Sequence, residues 1–375
     1  MREIKVTLIR GRATDPAVNK TAEALSEAGY KVKLLVWDRQ KNLKGHEDKG
    51  YTLQRFGLNA PYDKYSALLF YPVWWVYVFV FLVRYKSNVI HTCDLDMLIP
   101  AIPAKLVKRA KLCYTIYDFY ANNLPGGSFM LARKLTRKII ASVEKFGIRF
   151  TQVLFLADES RCEEIKGAKI NSLIYMYNSP KDYCNTKARR GGSEAGSGEL
   201  TVFYAGLVTK LRGLEYMMKA VEDLDGVRLI MAGACPDKEP VASSACQCKR
   251  IEHIGWLPSY EDVLKRTFES DILFRFSDPM HPKTKYESPN KLFEAMMCEK
   301  PIIVSDYSSM ANIVREENCG LIVPYGDVDA LKEALVRLKD VNLRQQLGSN
   351  GRRAYEQKYS WSIMQRKLLD AYAKL

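Results

Sequence analysis

Short apolar runs alternate with helix-like patterns along most of the chain. In its first half, residues 5–9, 31–36, 88–91, 112–116, 152–156 and 172–175 are predicted strands. A helix is predicted over 16–28, with Gly29 ending it. Strands separated by helices of about ten or more residues imply a parallel sheet covered on both faces. At 178–199 the rhythm stops in NSPKDYCNTKARRGGSEAGSGE, whose Gly, Ser and charge predict a linker at 179–199. It then restarts, with strands at 200–204, 227–232, 252–255, 271–274, 302–304 and 320–323. Helices are predicted at 213–224, 260–269, 327–338 and 342–358, and a last one over about 360–373. The fold class is therefore α/β, with two doubly wound Rossmann-like domains at 1–178 and 200–358 and a closing helix at 359–375. The ligand site is expected in the cleft between them.

One run departs from this pattern. Residues 65–83, YSALLFYPVWWVYVFVFLV, are nineteen positions without a charge. As one helix they would reach ~28 Å, the length of a membrane span. A span inside the strand-helix alternation would split one sheet across the bilayer, and Trp74, Trp75 and Pro72 favour an interface. The run is read as a membrane-associating helix at the edge of the first domain, against a core helix as the alternative.

Charge adds to the membrane reading. The net charge is +14 over 375 residues, and pI ≈ 9.2 suggests an anionic partner. Residues 105–149 hold ten Lys and Arg against Asp118 and Glu144. This suits an anionic membrane surface or a pyrophosphate-bearing lipid, or simply a set of solvated helix faces. No nucleic-acid motif accompanies the charge, and no nucleic-acid partner is expected. The opening MREIKVTLIR runs directly into a strand pattern, so no leader is expected, and nine scattered cysteines fit reduced thiols in the cytoplasm. Cys235, Cys246 and Cys248 have poor spacing for zinc, and no metal site is expected.

Candidate chemistry lies in loops after strands. Gly11 follows the first strand and leaves room for a ligand at the backbone. Gly206 and Gly233 end strands of the second half, and Lys210, Arg212 and Gly213 stand at a helix start, a setting suited to a diphosphate. In YESPNKLFEAMMCEKPIIVSD, a turn signal leads into a helix with Lys291 and Glu294 one turn apart. A helix start offers unpaired N–H groups to phosphate, and a carboxylate beside it can accept hydrogen bonds from a ribose diol. The same residues read equally as an ordinary helix with an acidic group near its positive end.

SPNKLFEAMMCEKPIIVSD, YAGLVTKLRGLEYMMKAV and DPAVNKTAEALSEAGYKVKLLVWDR, with HTCDLDMLIPA, YTIYDFYANN and SWSIMQRKLLDAY, resemble the family 4 glycosyltransferases of GT-B architecture. The likeness covers nearly the whole chain. It implies a retaining enzyme that moves a sugar from a nucleotide-diphosphate donor without a metal or other cofactor. The acceptor is expected to be lipid-linked or a glycan, at the cytoplasmic face of the membrane, in polysaccharide or glycoconjugate assembly. The resemblance implies that Arg212 binds the donor diphosphate, with Lys210 and Lys291 as further cations. Glu294 would hold the ribose. Pro289, Asn290 and Lys291 would contact the phosphates or the transferred sugar, and Gly11 would give the donor room. The pattern departs from the family at Tyr286, where a Glu is usual and Glu287 stands one position off. It departs again at Leu207, in place of an Arg, and at Tyr117, in place of a His beside the retained Asp118. The competing readings are a nucleotide-sugar epimerase of the same architecture and a non-catalytic nucleotide- or lipid-binding subunit.

Overall fold

The computed structural model describes residues 4–13, 15–41, 50–61, 65–123, 130–184, 198–235, 248–280, 284–286 and 290–375. The chain forms two compact units, Met1–Tyr177 with Gln365–Leu375, and Asn178–Met364.

The first unit is built on seven strands: β1 (Lys5–Arg10), β2 (Lys31–Trp37), β3 (Thr52–Phe56), β4 (Val89–Cys93), β5 (Lys111–Ile116), β6 (Val153–Leu156) and β7 (Leu173–Tyr175). Their order is β3-β2-β1-β4-β5-β6-β7, and every pairing is parallel. The central strands are buried at nearly every position because both of their faces are covered, and their polar members Thr7, Arg10, His91 and Thr92 are buried with the rest. The helices are α1 (Pro16–Glu27), α2 (Tyr71–Arg84), α3 (Leu95–Lys108) and α4 (Met130–Ile148). Asp15 starts α1 by accepting from the N–H groups of Ala17 and Val18, with Pro16 at the first helical position.

The 65–83 run is not one continuous helix. Tyr65–Leu69 is a 3₁₀ turn, and α2 begins only at Tyr71. One face of α2, Tyr71, Trp74, Val78 and Leu82, is buried in the core of the unit. The membrane-helix expectation is corrected to that extent: Trp74 is fully buried among Trp37, Phe56 and Tyr77. The opposite face, with Val73 and Val76, is open to solvent, as are Leu68 and Leu69 in the 3₁₀ turn.

The second unit holds six parallel strands: β8 (Leu200–Ala205), β9 (Val227–Ala232), β10 (Ile251–His253), β11 (Ile272–Arg275), β12 (Ile302–Ser305) and β13 (Gly320–Val323). Their order is β10-β9-β8-β11-β12-β13. Its helices are α5 (Leu214–Glu222), α6 (Tyr260–Glu269), α7 (Asn290–Met297), α8 (Ser309–Glu317), α9 (Val328–Arg337) and α10 (Val341–Ala354). A π turn at Tyr355–Tyr359 leads into α11 (Trp361–Ala373). The described residues at 180–184, which composition assigns to a linker, pack on this unit. Asp182 pairs with Arg352 at 2.6 Å, and Pro180 accepts a 2.9 Å bond from the Tyr355 hydroxyl. From Gln365 onward α11 belongs to the first unit, where the Tyr372 hydroxyl lies 2.7 Å from His91 Nδ1.

Candidate active site

In an open parallel sheet, ligands bind beyond the carboxyl ends of the strands, where the strand order reverses. That point lies between β1 and β4 in the first unit and between β8 and β11 in the second. Of the described residues singled out from the sequence, Gly11 follows β1 in the first unit, and Gly206, Lys210, Arg212 and Gly213 follow β8 in the second.

In the second unit, Gly206 follows β8 and Gly233 follows β9. A Cβ on Gly233 would overlap the backbone carbonyl of Gly206, so the two loops meet main chain to main chain. Lys210 and Arg212 form a 3₁₀ turn that Gly213 closes with φ +59°, and α5 starts there without a side-chain cap. The β8–α5 loop thus presents an uncapped helix start beside an exposed Lys210 and a half-buried Arg212, a setting for anions. The loop after β11 folds against it, Asp278 N–H donating to Leu211 O at 3.3 Å.

The loop after β11 leads to α7. Asn290 opens the helix and is exposed, whereas Glu294 is 1% exposed. Lys291 and Glu294 meet as an ion pair with Nζ to Oε2 at 2.6 Å. The other oxygen, Oε1, accepts a 2.9 Å bond from the Tyr260 hydroxyl. Burial and this carboxylate push the Tyr260 hydroxyl well above its ordinary range, so it acts as a donor. Each carboxylate oxygen keeps a further lone-pair direction for a ligand hydroxyl. The ammonium of Lys291 is engaged with Glu294, so Lys291 orients that carboxylate. Glu287 and Pro289 lie outside the described residues, as do Ser288 and Cys246. Tyr260 is not among the site residues read from the sequence. The GWLPSYED turn with its Ser259–Asp262 capping box fixes the start of α6, but nothing local points from Tyr260 to a carboxylate on another helix.

In the first unit, the switch point is lined by charge. Buried Arg10 donates through Nε to Asp15 at 2.8 Å and through Nη1 to Asp94, and its guanidinium lies over the Tyr117 ring at 5.1 Å. Asp94 in turn accepts from the N–H groups of Tyr117 (2.9 Å) and Asp118 (3.2 Å). Asp118 also faces Arg161 at 3.6 Å. Gly11 does not open onto free space: a Cβ there would overlap the Asp96 carboxylate. Deeper in the unit, Glu144 accepts from the Tyr114 hydroxyl at 2.7 Å and from Tyr120 N–H at 3.1 Å, and burial raises it to about 8. Burial lowers His91 to about 3, so it is neutral between Tyr372 and Thr115.

The outer face of the first unit is apolar and basic together. Helix α4 exposes Leu135, Ile139, Val143 and Phe146 in one stripe at helical spacing. Lys134, Lys138 and Arg149 are exposed next to it. Helix α2 packs on α3, and α3 on α4, so the three helices share one side of the sheet. No helix among the described residues is long and apolar enough to cross a membrane. Among them, no group of three His, Cys, Asp or Glu could hold a metal ion.

Residues 199–340 match the family model described as Glycosyl transferases group 1. Phosphatidyl-myo-inositol mannosyltransferase of Mycobacterium leprae is 29% identical over 187 residues, 46% of each chain, so the match spans about half the length of that curated relative. Sucrose-phosphate synthase from Thermosynechococcus elongatus superposes with a TM-score of 0.81 at 17% identity over 99% of both chains. Anabaena Alr3699/HepE, solved in complex with UDP-glucose, gives 0.70 at 14% over all of both. The fold is the GT-B architecture of two Rossmann-like domains, and the match to the group 1 model falls within the second unit.

Proposed function

We propose that this protein is a retaining glycosyltransferase that moves a sugar from a nucleotide-diphosphate donor to a lipid-linked or glycan acceptor at the cytoplasmic face of a membrane. The observation that carries the reading is the buried Glu294, held by Lys291 and Tyr260 at the start of α7, inside the region that matches the glycosyltransferase model. Glu294 binds the ribose hydroxyls of the donor, and Arg212, Lys210 and the starts of α5 and α7 hold its diphosphate. As the bond between the anomeric carbon and the diphosphate breaks, negative charge develops on the leaving group, where those cations and N–H groups stabilise it most. The acceptor oxygen bonds to the same carbon, and its proton passes to the leaving phosphate, so no strong protein base is required. No metal takes part in this scheme. The test is a thermal-shift screen against sugars linked to UDP, GDP and ADP, followed by incubation of the best donor with a lipid extract. One donor at about 100 times its Kd raises stability by roughly 2.7 kcal/mol and labels a lipid. A screen in which no nucleotide sugar shifts melting and no lipid is labelled would overturn the reading.

The acceptor side rests on the outer face of the first unit. The exposed residues of α2 and the stripe of α4, flanked by Lys134, Lys138 and Arg149, suit insertion of apolar side chains between anionic head groups. The Mycobacterium leprae relative is itself named for a phosphatidyl lipid. Changing Leu69, Val73 and Val76 together to Ser is expected to lower flotation with anionic vesicles about tenfold while leaving melting unchanged. Equal flotation of the variant and the parent chain would rule the surface out.

A further inference from the structure

Composition assigns residues 180–184 to a linker, yet Pro180, Asp182, Tyr183 and Cys184 are each held on the second unit. The Cys184 thiol donates to the carbonyl of Met297, the last residue of α7, at 3.0 Å. Arg352 Nη1 donates to the same carbonyl and to Cys184 Sγ, each at 3.0 Å, while Nη2 holds Asp182 at 2.6 Å. One guanidinium thus ties the segment to the end of the helix that carries Glu294. The segment also reaches the other side of that carboxylate. The Tyr183 ring meets Tyr260 edge-on, with centroids 6.0 Å apart and planes at 72°. Tyr260 is the residue whose hydroxyl donates to Glu294 Oε1 at 2.9 Å. It stands at the first position of α6 and is 42% exposed, so the core does not fix its ring. Among the described residues, Tyr183 is the ring packed against it.

We infer that Tyr183 is a positioning residue for Glu294, acting through Tyr260, and that seating of the 180–184 segment is thereby coupled to ligand binding at that carboxylate. The inference rests on the glycosyltransferase reading and states what orients its donor carboxylate. Tyr183 and Cys184 touch no ligand in this scheme. With the segment seated, Oε1 is held by Tyr260 and Oε2 by Lys291, and the carboxylate keeps one orientation. With the segment lifted, Tyr260 loses its lateral support and Oε1 its fixed donor. A ribose diol must then order both groups as it binds, which weakens its affinity. Such coupling is reciprocal: a ligand that favours the ordered carboxylate tightens the segment by the same factor.

Cys184 reports the seating directly. It is 6% exposed and becomes open to alkylation only when the segment lifts. Cys319, 2% exposed in the same unit, reports wider opening of that unit. The test follows N-ethylmaleimide labelling of both cysteines in the full chain by peptide mass spectrometry, without ligand and with saturating UDP-, GDP- or ADP-glucose. In the parent the sugar nucleotide that raises melting should slow Cys184 about fivefold or more and leave Cys319 unchanged. Tyr260→Phe keeps the ring and removes the bond to Glu294. It should speed Cys184 alone in the absence of ligand, lose the slowing by the nucleotide sugar, and raise the donor KM about tenfold with the acceptor KM unchanged. Tyr183→Leu, which leaves the groups around Glu294 in place, should raise the donor KM about threefold. Equal slowing of Cys184 in the parent and in Tyr260→Phe overturns the inference, and so do Cys184 and Cys319 rates that rise together. If no nucleotide sugar shifts melting of the parent, the glycosyltransferase reading fails. The ligand-free rates then decide alone: faster labelling of Cys184 only in Tyr260→Phe sustains the coupling, and unchanged labelling overturns it.

Discussion

Glu294→Gln is expected to lower kcat/KM for the nucleotide sugar by roughly 100-fold or more while leaving the fold intact. The substitution conserves volume, and an amide can still accept from the Tyr260 hydroxyl that lies 2.9 Å from the carboxylate. What it removes is the charge facing Lys291 at 2.6 Å and the charged acceptor for two ribose hydroxyls. Each hydrogen bond to an ionised group contributes about 1.5–3 kcal/mol, so losing the charge from two of them reaches the stated factor. Lys291, 19% exposed, turns toward water in the variant, and the melting temperature should change little. Steady-state kinetics with the donor identified by thermal shift, beside a melting curve of the same preparation, checks the result. A variant that turns over at the parent rate would remove Glu294 from the site.

Trp74→Ala is expected to destabilise the first unit by about 3–5 kcal/mol, the range for deleting a large aromatic side chain from a core. Trp74 has no exposed surface and contacts the rings of Trp37, Phe56 and Tyr77, with centroids at 5.6, 5.1 and 5.9 Å. Its indole N–H is buried without a hydrogen-bond partner, a cost the native state already bears. Trp74→Phe should therefore cost much less than Trp74→Ala, because it removes the orphan donor along with part of the ring. Urea unfolding followed by tryptophan fluorescence measures both variants. Equal, small losses for the two would mean that the indole is not anchored in the core. For the same reason, changes at Trp74 are a poor probe of the membrane, which is why the flotation variant uses the exposed Leu69, Val73 and Val76.

Most strands were legible because a parallel sheet buried on both faces favours short apolar, β-branched runs, as in VLFL at 153–156 and IIVS at 302–305. β3 was not, since Thr52–Phe56 lies at the sheet edge with no residue fully buried, and TLQRF carries no such run. In the 65–83 segment the absence of charge hid the inward-packed face. Its periodicity, with large residues at 71, 74, 78 and 82, already marked a face packed inward. At the site, the Lys291 and Glu294 pair could be read because one helical turn brings the two together. Tyr260 could not, because it reaches Glu294 across two helices. Partnerships of this kind form only when the strands are placed side by side.

The return of residues 365–375 to the first unit sets an order of assembly during synthesis. The sheet from β1 to β7 is complete in sequence by Tyr175, yet His91 lacks its partner on α11 until Tyr372 has been made. The second unit, Asn178–Met364, is contiguous and can close as soon as it leaves the ribosome. The part translated first is thus the part that finishes last, and for that interval the nascent chain carries an open flank on a half-finished domain.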